Sequence, residues 1–212
     1  MQRWLTDVAV PVGDRFLCFV DYMRGFLLCD MADADDVAAL ELRHVALPVK
    51  PPVSFDDDGE RPTTQMFRNI AAASATAVRF VTVDRRCCCG GLGVSTCERG
   101  QFLFKVTMWT LSLTTTVATW VKDGELDCEE LWAMPGYHGS LPRTEWPTLP
   151  VVSCDDPDVV RFVLHNAYGY NGEDRKVWVL EIDMRKKALR SVVLHSNADE
   201  QVEFHVAAQL LF

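Results

Sequence analysis

Asp155-Asp156-Pro157-Asp158-Val159-Val160-Arg161-Phe162-Val163-Leu164 and Lys176-Val177-Trp178-Val179-Leu180-Glu181-Ile182-Asp183-Met184 decide the class of fold. Both runs are rich in Val, Ile, Phe and Trp, residues that suit a pleated, half-buried surface. Between them Gly169-Tyr170-Asn171-Gly172 supplies a loop signal. The second run is apolar at nearly every position, the pattern of a strand covered on both faces. The unit predicts small stacked sheets, with Arg161 on a strand face and Trp178 in a core.

The same grammar recurs towards the N-terminus. Leu5–Val12 reads as a strand ended by Pro11 and Gly13, and Arg15–Val20 pairs with Gly25–Met31 through Asp21-Tyr22-Met23-Arg24. Leu40–Leu47 is another strand, stopped by Pro48, Pro51 and Pro52 because proline cannot donate to a ladder. Phe67–Ala77 is open between helix and strand, its alanines favouring one and Phe67 and Ile70 the other. Ala77–Asp84 is a clearer strand, with Val78, Phe80 and Thr82 on one face and Arg79, Val81 and Val83 on the other.

Phe102–Leu113 and Thr114–Val121 read as strands, and Lys122-Asp123-Gly124-Glu125 as an Asp-Gly turn from which Leu126–Trp132 pairs back. Pro135 to Pro150 reads as loop, Ala188–His195 as the last strand, and Val202–Phe212 as a short amphipathic segment folding onto the core. The sum is ten or eleven strands with little helix, forming a single β-rich domain over residues 1–212. The predicted fold is mainly β: a partial β-propeller-like array of antiparallel strand pairs, with a two-sheet β-sandwich as second choice.

The net charge of −9 over 212 residues argues against nucleic-acid and anionic-membrane partners, which need a cationic surface. Val106 to Val121 is interrupted by seven Ser and Thr residues and falls short of the roughly 20 apolar residues of a membrane span. The first residues lack the apolar core of a secretory signal, so the expected setting is intracellular, cytoplasmic or nuclear. The eight cysteines are then expected to be mostly buried free thiols. A hairpin centred between Met23 and Arg24 sets Cys18 directly opposite Cys29, as two small thiols packed across strands.

Cys87, Cys89 and Cys97 are the metal candidates. Structural zinc uses Cys pairs two to four residues apart, whereas here Cys87-Cys88-Cys89 is contiguous and Cys97 lies eight residues further on. Thiols at a strand end before Gly90-Gly91 are the plainer reading. Asp56-Asp57-Asp58 lacks the ligand spacing of an EF-hand and reads as a solvated acidic turn. The five histidines are scattered, and no GxSxG, Walker, HExxH or strand-linked GxGxxG motif is present. The chain is therefore expected to be no enzyme and to need no cofactor, with a thiol enzyme or hydrolase as the last alternative. Tyr137, His138 and Trp146, in the 135–150 loop, are the expected contacts for a protein partner, and loops 48–64 and 90–100 are further candidates.

Several segments in fixed order carry a resemblance. They are Val12–Asp30 (VGDRFLCFVDYMRGFLLCD), Arg79-Phe80-Val81-Thr82-Val83, Trp120-Val121-Lys122-Asp123-Gly124, Glu130-Leu131-Trp132, and the opening unit through Asp183-Met184-Arg185. Over about residues 12–195 the chain resembles a plant family expanded in grasses and known as domain of unknown function 1618. That family is similar to F-box-associated and kelch-like propellers of plants. The resemblance implies a propeller relation, a chain corresponding to the C-terminal part of a longer family-type domain, and no catalytic residues.

Overall fold

The computed structural model describes residues 4–32, 41–50, 64–86, 102–115, 117–137, 139, 141–166 and 176–196. Twelve strands occur among them: β1 (Val8–Val12), β2 (Phe16–Asp21), β3 (Gly25–Asp30), β4 (Leu42–Val45), β5 (Arg68–Ser74), β6 (Ala77–Arg85), β7 (Phe104–Ser112), β8 (Val121–Asp127), β9 (Thr148–Val152), β10 (Val159–His165), β11 (Lys176–Asp183) and β12 (Ala188–Ser196). A five-residue helix, α1 (Cys128–Trp132), follows β8. Four consecutive strands make each of three antiparallel sheets, in the orders β1-β2-β3-β4, β5-β6-β7-β8 and β12-β11-β10-β9. No sheet closes into a barrel.

The alternation along β6 explains how the sheets stack. Val78 and Phe80 join a core with Val12, Phe16, Cys18, Val20 and Phe26 of the first sheet. Val81 and Val83, on the opposite face, join one with Phe162, Leu180 and Ile182 of the third. The second sheet is therefore the middle layer, apolar on both faces. Phe80 and Phe162 are fully enclosed, each burial contributing about 2–3 kcal/mol.

The sheets fan from their first strands: β1 lies beside β5 and β5 beside β9, while β4, β8 and β12 share no comparable contact among the described residues. At the outer edge one relation occurs twice. Trp120, just before β8, donates from Nε1 to the Ala46 carbonyl just after β4 (2.8 Å). Lys187, just before β12, pairs with Glu130 just after β8 (2.6 Å). Each contact joins the start of one sheet's last strand to the segment after the last strand of the sheet before it.

Gly13, in the β1–β2 turn at φ +57°, lies so close to the β5–β6 turn that a Cβ there would meet the Ala75 carbonyl at 2.6 Å. Arg68, at the start of β5, reaches the Tyr22 carbonyl in the β2–β3 turn (2.5 Å). Corresponding turns therefore share an end. The Gly13 end has the short connections β1–β2 and β5–β6 together with 31–41 and 113–120, whereas the opposite end receives the connections 46–67, 86–103, 128–147 and 166–175.

Five expectations are corrected. The β2–β3 pairing is Phe16↔Asp30 to Asp21↔Gly25, so Cys18 faces Leu28 and Cys29 faces Leu17. A three-residue loop closed by Gly25 at φ +141° moves the register by one residue, which sends the two thiols to opposite faces. Among the described residues of Thr114–Val121 only Val121, the first of β8, lies in a strand, and the Asp123-Gly124 turn is absent: β8 runs through both residues, with Gly124 opposite Met108 beside a bulge. Residues 128–132 form α1 because Asp127 caps it and Glu130 returns a bond to the Asp127 N–H, a reciprocal capping box. Thr148–Val152, within the expected loop, is β9, and Phe67–Ala77 resolves as β5.

Candidate functional site

The end with the long connections carries two tryptophan–arginine pairs. On the face of the second sheet that meets the third, Arg85 closes β6 and Phe104 opens β7, and the two are paired. Trp132, at the end of α1, packs edge-to-face against Phe104 (centroids 6.3 Å apart). Trp146 packs against Phe102, two residues earlier on the same chain segment (6.0 Å). The Arg85 guanidinium lies 3.6 Å from the Trp146 centroid and 5.2 Å from that of Phe67. The Arg143 guanidinium stands 5.8 Å from the Trp132 centroid and donates to the Trp132 carbonyl (3.4 Å). Each stack contributes about 0.5–2 kcal/mol, more where water is excluded.

Burial lowers the Arg85 pKa, with Glu145 opposing that shift, and burial raises the Glu145 carboxyl against the pull of Arg85. Neither Arg85 nor Arg143 forms an ion pair among the described residues. The Nε1 atoms of Trp132 and Trp146 are enclosed and meet no acceptor in good hydrogen-bonding geometry among the described residues. Arg86 points elsewhere, pairing with Asp127 (2.7 Å) beside the Cys128 thiol.

The other end has a closed charge network. Arg79 is buried and donates to Thr110 Oγ1 (3.0 Å), the Pro157 carbonyl (2.6 Å) and Asp158 Oδ1 (2.5 Å), with Asp123 at 3.7 Å. Arg185 shares Asp158 (2.9 Å), and the Thr110 hydroxyl bonds Asp123. Every charge there is answered, so the cluster ties the β9–β10 turn to the middle sheet. Asp183 is similarly engaged: burial would raise its pKa, but the Lys186 N–H and Arg190 outweigh it and hold it at about 2.

Of the residues expected to make contacts, Trp146 is half-buried in the Arg85 stack. Tyr137 is buried, and its hydroxyl donates to the Pro142 carbonyl (2.6 Å); burial pushes its pKa up to about 12, so it braces the loop and offers no contact surface. His138, Cys87, Cys89 and Cys97 lie outside the described residues, as do most of loops 48–64 and 90–100. Among the described residues no group of three or more His, Cys, Asp or Glu side chains is placed to hold a metal ion, and no helix is long and apolar enough to cross a membrane. Cys18, Cys29, Cys128 and Cys154 are free. Burial pushes the Cys18 thiol up to about 12 and also raises Cys128. Arg143 is marked by no local motif, because its place on Trp132 is created by α1.

Trp178 is buried in the core and Arg161 pairs across strands with Glu181 (2.8 Å), so neither belongs to the site. No curated protein and no solved structure matches the chain. The model of the family described as "Protein of unknown function (DUF1618)" matches residues 19–161, spanning all of the middle sheet and most of the first. The chain therefore belongs to the DUF1618 family.

Proposed function

We propose that this protein is a non-catalytic protein-interaction module of a plant cell, cytoplasmic or nuclear, built as part of a β-propeller and binding through the end that carries the long connections. The adjacent first strands and the twice-repeated outer-edge contact support the propeller reading, since blades radiate from an axis with one repeated rotation. Loops on a rigid β scaffold are where binding residues concentrate. The observation that carries the binding reading is the Arg85–Trp146 stack, a cation without an ion pair held on a half-buried ring at that end. Arg and Trp are the residues most enriched at interface hot spots.

The non-catalytic part is supported by the thiols: those of Cys18 and Cys128 are held protonated by burial, away from the thiolate a nucleophile needs. Among the described residues the polar neighbours of the Cys128 thiol are Arg86, Asp127 and the Phe104 backbone, with no imidazole among them. The test is photo-crosslinking in plant extract with a benzoylphenylalanine at position 145 or, at the other end, at position 76. A reproducible protein adduct from position 145 alone is expected; adducts from position 76 alone would overturn the assignment of the face.

A further inference from the structure

We propose that the paired stacks Arg85–Trp146 and Arg143–Trp132 form a receptor for an acidic peptide segment, each guanidinium taking one Asp or Glu carboxylate of the partner. The inference rests on the preceding reading of this end as the binding face and names its ligand. The two tryptophans are anchored on Phe102 and Phe104, which lie two residues apart. Phe104 opens β7 and Phe102 lies in the turn just before it, so both pairs are seated on one three-residue segment at this end.

The charge balance selects the ligand. The chain carries 30 acidic against 21 basic residues, so carboxylates outnumber cations overall. Arg15, Arg24, Arg79, Arg86, Arg161, Arg185 and Arg190 are ion-paired, while Arg43 and Arg68 each donate to two backbone carbonyls. Arg85 and Arg143 are held by indole rings and Arg143 otherwise only by a carbonyl. Stacking fixes the plane of a guanidinium while leaving its N–H edge open for bidentate recognition of a carboxylate. Glu145 sits between the two pairs in sequence and acts on Arg85 electrostatically without bonding it, so it competes with the incoming carboxylate. A nucleic-acid strand is disfavoured by the overall charge of −9, whereas a short peptide needs only the local pair.

Fluorescence polarisation at physiological ionic strength tests this with a labelled Glu-rich peptide carrying Leu at alternate positions, its Gln counterpart and its phosphoserine counterpart. The Glu peptide is expected to bind and the Gln peptide not. Arg143→Ala, an exposed change that leaves the core intact, and Arg85→Lys should each weaken binding about tenfold or more. Glu145→Gln should tighten it, and Asp14→Asn at the other end should leave it unchanged. Equal binding of the Glu and Gln peptides, or binding indifferent to Arg143→Ala, overturns the proposal. A preference for phosphoserine above about tenfold overturns the carboxylate assignment. If crosslinking at position 145 captures a partner whose contact segment has no acidic residues, this inference fails while the reading of the face stands.

Discussion

Replacing Arg79 by Met removes the charge that joins the middle and third sheets while keeping most of the side-chain volume. Arg79 makes charge-assisted bonds to Asp158 (2.5 Å) and the Pro157 carbonyl (2.6 Å) and a further bond to Thr110. Breaking a buried pair by deleting one member costs about 3–5 kcal/mol, because the other is left uncompensated. Two features move the expectation to the lower end. Asp158 keeps Arg185, and Asp123 keeps the Thr110 hydroxyl. The expected loss is about 3 kcal/mol. With a urea slope of about 2–3 kcal/mol per M, the denaturation midpoint should fall by about 1 M. The Arg15→Met variant provides the contrast, since Arg15 is 54% exposed in its pair with Asp30 and should lose less than about 1 kcal/mol. A cycle with Asp158→Asn should show coupling of about 1 kcal/mol or more. An Arg79→Met midpoint within about 0.3 M of the parent would refute the reasoning and leave the join to apolar packing.

Gly25→Ala places a Cβ 2.1 Å from the Val45 carbonyl at a backbone angle that side chains rarely adopt; a loss above about 3 kcal/mol is expected in the same assay. Asp127→Ala removes the cap of α1 and the ion-pair partner of Arg86, so about 1–2 kcal/mol should be lost, with Trp132 fluorescence moving to longer wavelength. Lys105 and Lys122 hold Glu125 at about 2, and Asp183 also lies at about 2. Carboxyls depressed in the folded state stabilise it fully above their unfolded range, near pH 4, and lose that contribution as the pH falls towards 2. Urea midpoints should therefore decline between pH 4 and 2, and Asp183→Asn should flatten that decline. In native alkylation mapped by mass spectrometry, exposed Cys154 should react well before buried Cys18 and Cys128.

Strand content was legible wherever a segment's two faces could be read separately. Ala77–Asp84 announced both of its faces, and each now lies in a different core. Val159–His165 and Lys176–Asp183 announced a pair and formed one. Failures arose where one residue changed the geometry. Gly25 shifted the expected β2–β3 pairing by one residue, and Asp127 with Glu130 turned an expected strand into α1. Gly124 was read as a turn glycine; it is a strand residue where a Cβ would contact Met184 and Met108. The site was half legible. Trp146 stood out as a loop tryptophan, but Arg85 is remote in sequence and meets it only because β6 and the segment before β9 end together.

Hydrogen exchange on the protein with and without its crosslink-identified partner tests the central claim most directly. The account predicts slowed exchange in residues 141–148 and at Arg85 and Arg86, with the Gly13–Arg15 and Ala75–Thr76 turns unchanged. Protection confined to those turns, with 141–148 unaffected, would contradict it.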